Sequence, residues 1–298
     1  MRKRRLTLSV VMLLTLWLLP SAAMAAGETG AIFLLVGVGA RPEGMGGAFV
    51  AIADDANAVN INPAGITQIK GQQVTLMHNE YLLDFNHEYI SYAQGMGQTA
   101  WGGSLVYLDF GEFPAYSTAN VYIGSFRPNS YALTAAYGFK STEAVSYGVN
   151  LKYIREKLID TGTAFAVDAG VLITPPNVPW RVGAVLQNLG TKIKIGTESD
   201  PLPLTLRVGG AYKLLEYPLL LAGDVYFIRD SDPEFHFGAE YKLVDIVSLR
   251  LGYDSSAELD NGITFGVGFA QEGVALDYAF VPMGDFGDSH RFSISMNF

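Results

Sequence analysis

Ser289-His290-Arg291-Phe292-Ser293-Ile294-Ser295-Met296-Asn297-Phe298, the last ten residues, decide how the rest of the chain is read. Side chains of an extended strand alternate between faces. Phe292, Ile294, Met296 and Phe298 therefore make one wholly apolar face, and Arg291, Ser293, Ser295 and Asn297 make a polar one. A strand this regular at the end of a chain needs a partner for its open edge. If that partner is the first strand, the segments between close into a ring with an apolar outside, which is a surface for lipid.

Working back from that strand, the chain reads as strand, turn, strand as far as Lys70. Fourteen segments qualify: 72–80, 85–95, 98–109, 129–140, 142–156, 162–173, 178–188, 203–214, 217–228, 234–243, 246–253, 261–270, 272–281 and 289–298. Most alternate cleanly, as Val145, Tyr147, Val149, Leu151 and Tyr153 do against Ser146, Gly148, Asn150 and Lys152. The first two are mixed, and their register is open. Alternation alone also suits a soluble sandwich. Connection lengths separate the two. Every connection after an even-numbered strand is tight, while those after the third, seventh, eleventh and thirteenth are longer, such as 111–128 and 189–202. Short turns on one rim and longer loops on the other belong to a transmembrane barrel. The segments also have the length of spanning strands, about 9–11 residues. Tyr131, Tyr153, Tyr212, Tyr226, Tyr253 and Tyr278 fall where aromatic girdles are expected.

The N-terminus reads as an export leader over residues 1–25. Arg2, Lys3, Arg4 and Arg5 precede an apolar run from Leu6 to Leu19 and a small-residue cleavage site at Ala23-Met24-Ala25. Without those four basic residues, 16 Lys and Arg remain against 29 Asp and Glu, a charge of about −13. That balance excludes nucleic acid as a partner, since phosphates need a basic surface. There is no cysteine. Beyond the leader no apolar stretch is long enough for a spanning helix, so membrane residence rests on strands.

Residues 26–70 differ from the rest: rich in Gly and Ala, with short helical turns and no sustained alternation. A fourteen-stranded lumen is too wide for wall side chains to fill. This segment, entering from the short-turn rim, is the candidate plug, and residues 71–298 are the barrel. Lys152, Arg207, Arg250 and Arg291 fall on inward positions with Asp168, Asp224, Glu240 and Asp277. Such charges require partners from one another or from the plug.

Gly44-Met45-Gly46-Gly47-Ala48-Phe49-Val50-Ala51-Ile52-Ala53-Asp54-Asp55-Ala56, followed by Asn62-Pro63-Ala64-Gly65, resembles the N-terminal signature of FadL-like outer-membrane barrels, nearest the PorV/PorQ branch. Those relatives often carry an aromatic residue before the Asn, where this chain has Ile61. The resemblance implies an all-β fold: a fourteen-stranded antiparallel transmembrane barrel with an N-terminal hatch, placed in the outer membrane. It implies either a conduit for hydrophobic small molecules or a non-transporting scaffold for type IX secretion components. FadL-like channels release ligand sideways through a kink in the third strand, which makes Gly102-Gly103 a candidate lateral opening; the alternative, which is preferred, is that the two glycines only make room for the plug. Phe110, Phe113, Tyr116, Tyr122 and Phe126, in and beside the longest loop, are the candidate docking surface for a hydrophobic ligand. Expected partners are outer-membrane lipid, lipopolysaccharide and, through Phe298, the barrel-assembly machinery.

No catalytic motif is complete in the sequence. Val36-Gly37-Val38-Gly39-Ala40-Arg41-Pro42 begins like a dinucleotide fingerprint, but Pro42 takes the third glycine's place and no strand–helix–strand unit follows. No G-x-S-x-G elbow or H-E-x-x-H pair occurs. His78, His87, His236 and His290 are scattered over separate strands, so no metal cluster is expected. Asp230, Asp232, Glu234, Asp254, Glu258 and Asp260 gather in outer loops, where solvated acids outweigh a Ca²⁺ or Mg²⁺ site. The chain is not expected to be an enzyme or to carry a cofactor.

Overall fold

The structure, a computed structural model, describes residues 29–81, 85–256, 261–284 and 287–298. The expected leader lies outside the described residues, as do Glu258 and Asp260. The strands are β1 (Gly71–Glu80), β2 (Asn86–Met96), β3 (Thr99–Asp109), β4 (Phe113–Tyr116), β5 (Tyr122–Phe126) and β6 (Asn129–Lys140). Then come β7 (Val145–Lys157), β8 (Thr161–Ile173), β9 (Trp180–Gly190), β10 (Ile193–Ile195), β11 (Glu198–Asp200) and β12 (Thr205–Lys213). The last are β13 (Leu219–Ile228), β14 (Glu234–Val244), β15 (Val247–Asp254), β16 (Ile263–Gln271), β17 (Val274–Pro282) and β18 (Asp288–Asn297).

Fourteen of these form one closed antiparallel barrel, in which β3 pairs with β6 and β9 with β12. The remaining four are two small hairpins, β4–β5 and β10–β11, within the long loops after β3 and β9. β18 closes on β1, with Val74 opposite Met296, Leu76 opposite Ile294 and His78 opposite Phe292. Gln72 and Phe298 then exchange backbone hydrogen bonds of 2.9 and 3.2 Å, so the final residue is held in the ladder. The two mixed strands settle with Gln73, Thr75, Met77 and Asn79, and His87, Tyr89, Ser91 and Ala93, facing inward.

The two faces of the wall differ as period-two alternation requires. Leu151, Phe165, Phe237 and Leu251 are more than half exposed on the outside, while Asn150, Asp168 and Thr264 are buried on the inside. A continuous apolar exterior has only acyl chains to cover it. Among the described residues no helix is long and apolar enough to cross a membrane. Tyr131, Tyr153 and Phe165 form an outward aromatic row, with centroids 6.2 and 5.3 Å apart. Tyr226 departs from the expected girdle. It shares the inward face of β13 with Asp224 and is buried, its hydroxyl donating to the Gly47 carbonyl at 2.7 Å.

Residues 29–70, the described chain before β1, lie inside the ring. They contain a 3-10 turn (Ile32–Leu35), α1 (Ala40–Glu43), α2 (Ala58–Ile61) and a second 3-10 turn (Pro63–Gln68). Asn62 caps the last of these, its side chain accepting from the Ala64 amide, with Pro63 at the first position. The segment does not merely enter from the short-turn rim. It joins β1 there, but its other end reaches the long-loop rim, where Gly30 donates to the Pro201 carbonyl at 3.0 Å. The wall makes room with inward glycines. A Cβ on Gly148 would stand 2.2 Å from Pro63 C and Ala64 N, and one on Gly252 would stand 2.0 Å from Gly46 N.

Candidate functional site

The plugged lumen is held by polar contacts spread around the wall. Asp224 Oδ2 accepts from the Phe49 and Val50 amides at 2.8 and 2.9 Å. Ser293 Oγ accepts from Ala40 N at 2.8 Å, and Thr264 Oγ1 from Gly46 N at 3.1 Å. Asn150 and Gln187 donate to the α2 carbonyls of Val59 and Asn60, at 2.8 and 2.7 Å. Asn62 Nδ2 bridges plug and wall by donating to the Val50 and Val171 carbonyls, at 3.0 and 3.2 Å. Short irregular turns leave many backbone groups without intrahelical partners, and these wall side chains satisfy them.

The eight inward charges find partners in different ways. Lys152 pairs with Asp168 across the wall at 2.8 Å, and Arg250 binds Glu240 and Asp277 at 2.7 Å each. Arg291 reaches the plug, donating to Glu43 and to the Gly37 carbonyl. Among the described residues Arg207 has no ion pair of this kind; its guanidinium lies 4.2 Å from the Tyr226 ring centroid. From the plug side, Arg41 binds Glu240, Asp54 and Asp55 at 2.9, 2.7 and 3.1 Å. Burial pushes the Asp55 carboxyl up to about 6, while Arg41 pulls it back. Within the signature, Met45, Pro63, Ala64 and Gly65 are buried. Gly46 and Gly47 take the positive φ of 63° and 80° that turns the chain beneath β14.

The long-loop end of the lumen is apolar on one side. Val106, Leu108, Ala132, Ile154 and Ala164 face inward near that rim and pack in one cluster with Phe33 of the first 3-10 turn. Phe110 belongs to this lining: it packs edge-on against Phe85 with centroids 5.1 Å apart. The other four expected docking residues do not join it. Phe113, Tyr116, Tyr122 and Phe126 sit exposed on the β4–β5 hairpin, as two cross-strand aromatic pairs 5.8 and 5.9 Å apart.

The candidate lateral opening at Gly102-Gly103 is not present in this structure. β3 pairs residue by residue with β2 and β6 through both glycines. Gly102 faces the plug, where an added Cβ would stand 3.0 Å from Val59; Gly103 faces outward. The register shifts elsewhere, between Val167 and Ala169 on β8, where Gln187 and Asn188 of β9 stand against Asp168 alone. Asn188 takes φ 62° there, and Asp168 accepts from its amide at 2.8 Å. Outside this bulge lies a groove of about 640 Å³ lined by Leu133, Leu151, Phe165, Val167 and Leu189.

Residues 21–166 match a family described as an uncharacterised protein family, UPF0164. A UPF0164 protein of Treponema pallidum (strain Nichols) is 26% identical over 237 residues, covering 65% of this chain and 53% of its own length. The chain thus spans about half the length of the curated relative it matches. Among solved structures, the Ralstonia pickettii toluene transporter TbuX superposes with TM-score 0.65 at 14% identity, covering 89% of this chain and all of its own. The P. putida toluene transporter TodX gives 0.66 at 12% identity, over 88% and 99%. A Pseudomonas aeruginosa FadL homologue gives 0.60 at 11%, over 92% and 99%. The chain has a FadL-like fold. At these identities the likeness speaks for architecture, and within this FadL-like barrel the lumen contacts above are the chain's own.

Sequence reasoning missed one grouping. Glu234, His236 and Asp254 come together at the long-loop rim, because His236 stands opposite Asp254 across the β14–β15 ladder. Glu234 and Asp254 were already read together as outer-loop acids; what was missed is His236, which only the strand register sets opposite Asp254.

Proposed function

We propose that this chain is an outer-membrane conduit for small apolar molecules, entered at the long-loop rim and closed at rest by its own N-terminal segment. The observation that carries this is the apolar lining formed by Val106, Leu108, Phe110, Ile154 and Ala164, capped by Phe33. A porin for polar solutes would wet that lining, and a water-filled mouth does not select for aliphatic and aromatic side chains. The exposed aromatic pairs of β4–β5 offer a first landing surface beside the mouth. The lining is closed by Phe33 and Leu34, so passage requires the first 3-10 turn to move. Solved FadL-like barrels titled as toluene transporters and as a monoaromatic hydrocarbon channel lend support through shared architecture.

Accumulation of a radiolabelled monoaromatic hydrocarbon by proteoliposomes carrying the chain tests the reading. Uptake above protein-free liposomes, reduced by Ile154→Asp in the lining, is the expected result. Uptake equal to empty liposomes in both directions would overturn it. The other reading carried by the resemblance, a PorV-like scaffold for protein secretion, predicts stable co-purification with secretion components and no uptake.

A further inference from the structure

We propose that Glu234, His236 and Asp254 form a site for a divalent transition-metal ion of the zinc class, clamping the rim end of the β14–β15 pair to the plug. The three residues each offer one ligand atom, and these atoms lie within 4.8 Å of one another. Acidic neighbours alone would not make a site. The imidazole does, because of how it is held. Its Nδ1 lies 2.7 Å from the Gly46 carbonyl oxygen, which can only accept, so Nδ1 carries the proton and donates. In the neutral ring the lone pair is then on Nε2, the nitrogen an ion would take. That atom is buried, in a side chain only 4% exposed, and has no hydrogen-bond partner. Metal-binding histidines are prepared in this manner, with the far ring N–H given to a carbonyl or carboxylate to fix the tautomer and aim the lone pair.

Nε2 faces Glu234, while Asp254 Oδ1 lies 3.4 Å from Nδ1, so the Asp254 carboxylate must rotate to join an ion at Nε2. Glu234 Oε2 is 3.6 Å away, too far for a hydrogen bond and close to the separation of two ligands on one ion with bonds of about 2.1 Å. Glu234 and Asp254 are 24% and 21% exposed, so an ion can enter from the rim and both carboxylates have room to rotate towards it. The ring is fixed on its other side by Tyr226, 3.9 Å away centroid to centroid. One imidazole with two carboxylates favours Zn²⁺ over Ca²⁺, which takes oxygen ligands alone. Since Gly46 accepts from the same ring, and Gly47 from Tyr226, an ion here would hold the plug's glycine turn against the wall. This site does not depend on the transport reading.

The test uses the full chain purified in detergent, stripped with a chelator and dialysed against Zn²⁺ alone or Ca²⁺ alone. One Zn²⁺ per chain is expected, with Ca²⁺ bound more weakly, and Co²⁺ substitution should give a visible band shifted by imidazole ligation. Glu234→Gln sits at the exposed rim and leaves the plug contacts intact; it should weaken Zn²⁺ binding by about 10–100-fold, and His236→Ala should abolish it. Hydrogen exchange at Gly46 should quicken when the ion is removed. Well under one Zn²⁺ per chain, or binding indifferent to Glu234→Gln, would overturn the site and leave His236 as a protonated partner of its two acids.

Discussion

Asp224 shows what single residues contribute inside this barrel. Its carboxylate takes two adjacent plug amides, Phe49 and Val50, both otherwise buried without acceptors. Asp224→Ala would strand both, at about 1–3 kcal/mol for each unsatisfied buried group. Hydrogen exchange at those two amides should accelerate at least tenfold while the barrel's heat-modifiable gel mobility stays unchanged. Asp55 makes a different prediction. Its carboxyl, near 3.8 in a free chain, is raised by burial to about 6 in place. The seated plug therefore holds a proton that a released plug gives up between those two values. Seating is most favourable below about pH 4, weakens as pH rises through 6, and is constant above it. Proteolysis of the plug at Arg41 should accordingly be slower at pH 5 than at pH 7.5, and Asp55→Asn should flatten the difference.

At the scale of elements, the plug and wall fit through backbone proximity more than side-chain volume. The sequence marks this by placing glycine on the inward face of successive strands, as at Gly138, Gly148, Gly170, Gly183, Gly252 and Gly266. Gly148→Val would drive two methyl groups into the turn at Pro63, and overpacking of this kind costs about 1–3 kcal/mol. The expected result is a displaced plug, seen as ion conductance in planar bilayers above that of the native chain. Gly103→Val, pointing outward, should leave conductance unchanged, whereas Gly102→Val should behave like Gly148→Val because Val59 lies against it. The inward glycines were legible as strand positions. Their purpose was not, since nothing local says which backbone comes near them.

For the whole molecule, closure is the property on which the rest depends. β18 has β17 on one side and β1 on the other, and its removal leaves two open edges in a membrane that offers no substitute hydrogen bonds. A chain ending at residue 287 should show no heat-modifiable gel mobility and should be degraded in the cell. The final ten residues alone made this visible, because their alternation is clean and their edge demands a partner.

The number of barrel strands, the inward and outward faces of most of them, and the alternation of short turns with long loops were present in the sequence; the two loop hairpins and the faces of β1 and β2 were not. Each legible feature follows from a local pattern: a period of two along a strand, or the length of a connection between strands. Contacts across the lumen were not legible. That Tyr226 turns inward onto Gly47, that the wall stays unbroken at Gly102-Gly103 and shifts register at Asp168 instead, and that His236 meets Asp254 beside Glu234 are outcomes of register and of the plug's path. Those depend on which residues far apart in the chain come face to face, and only the closed ring brings them there.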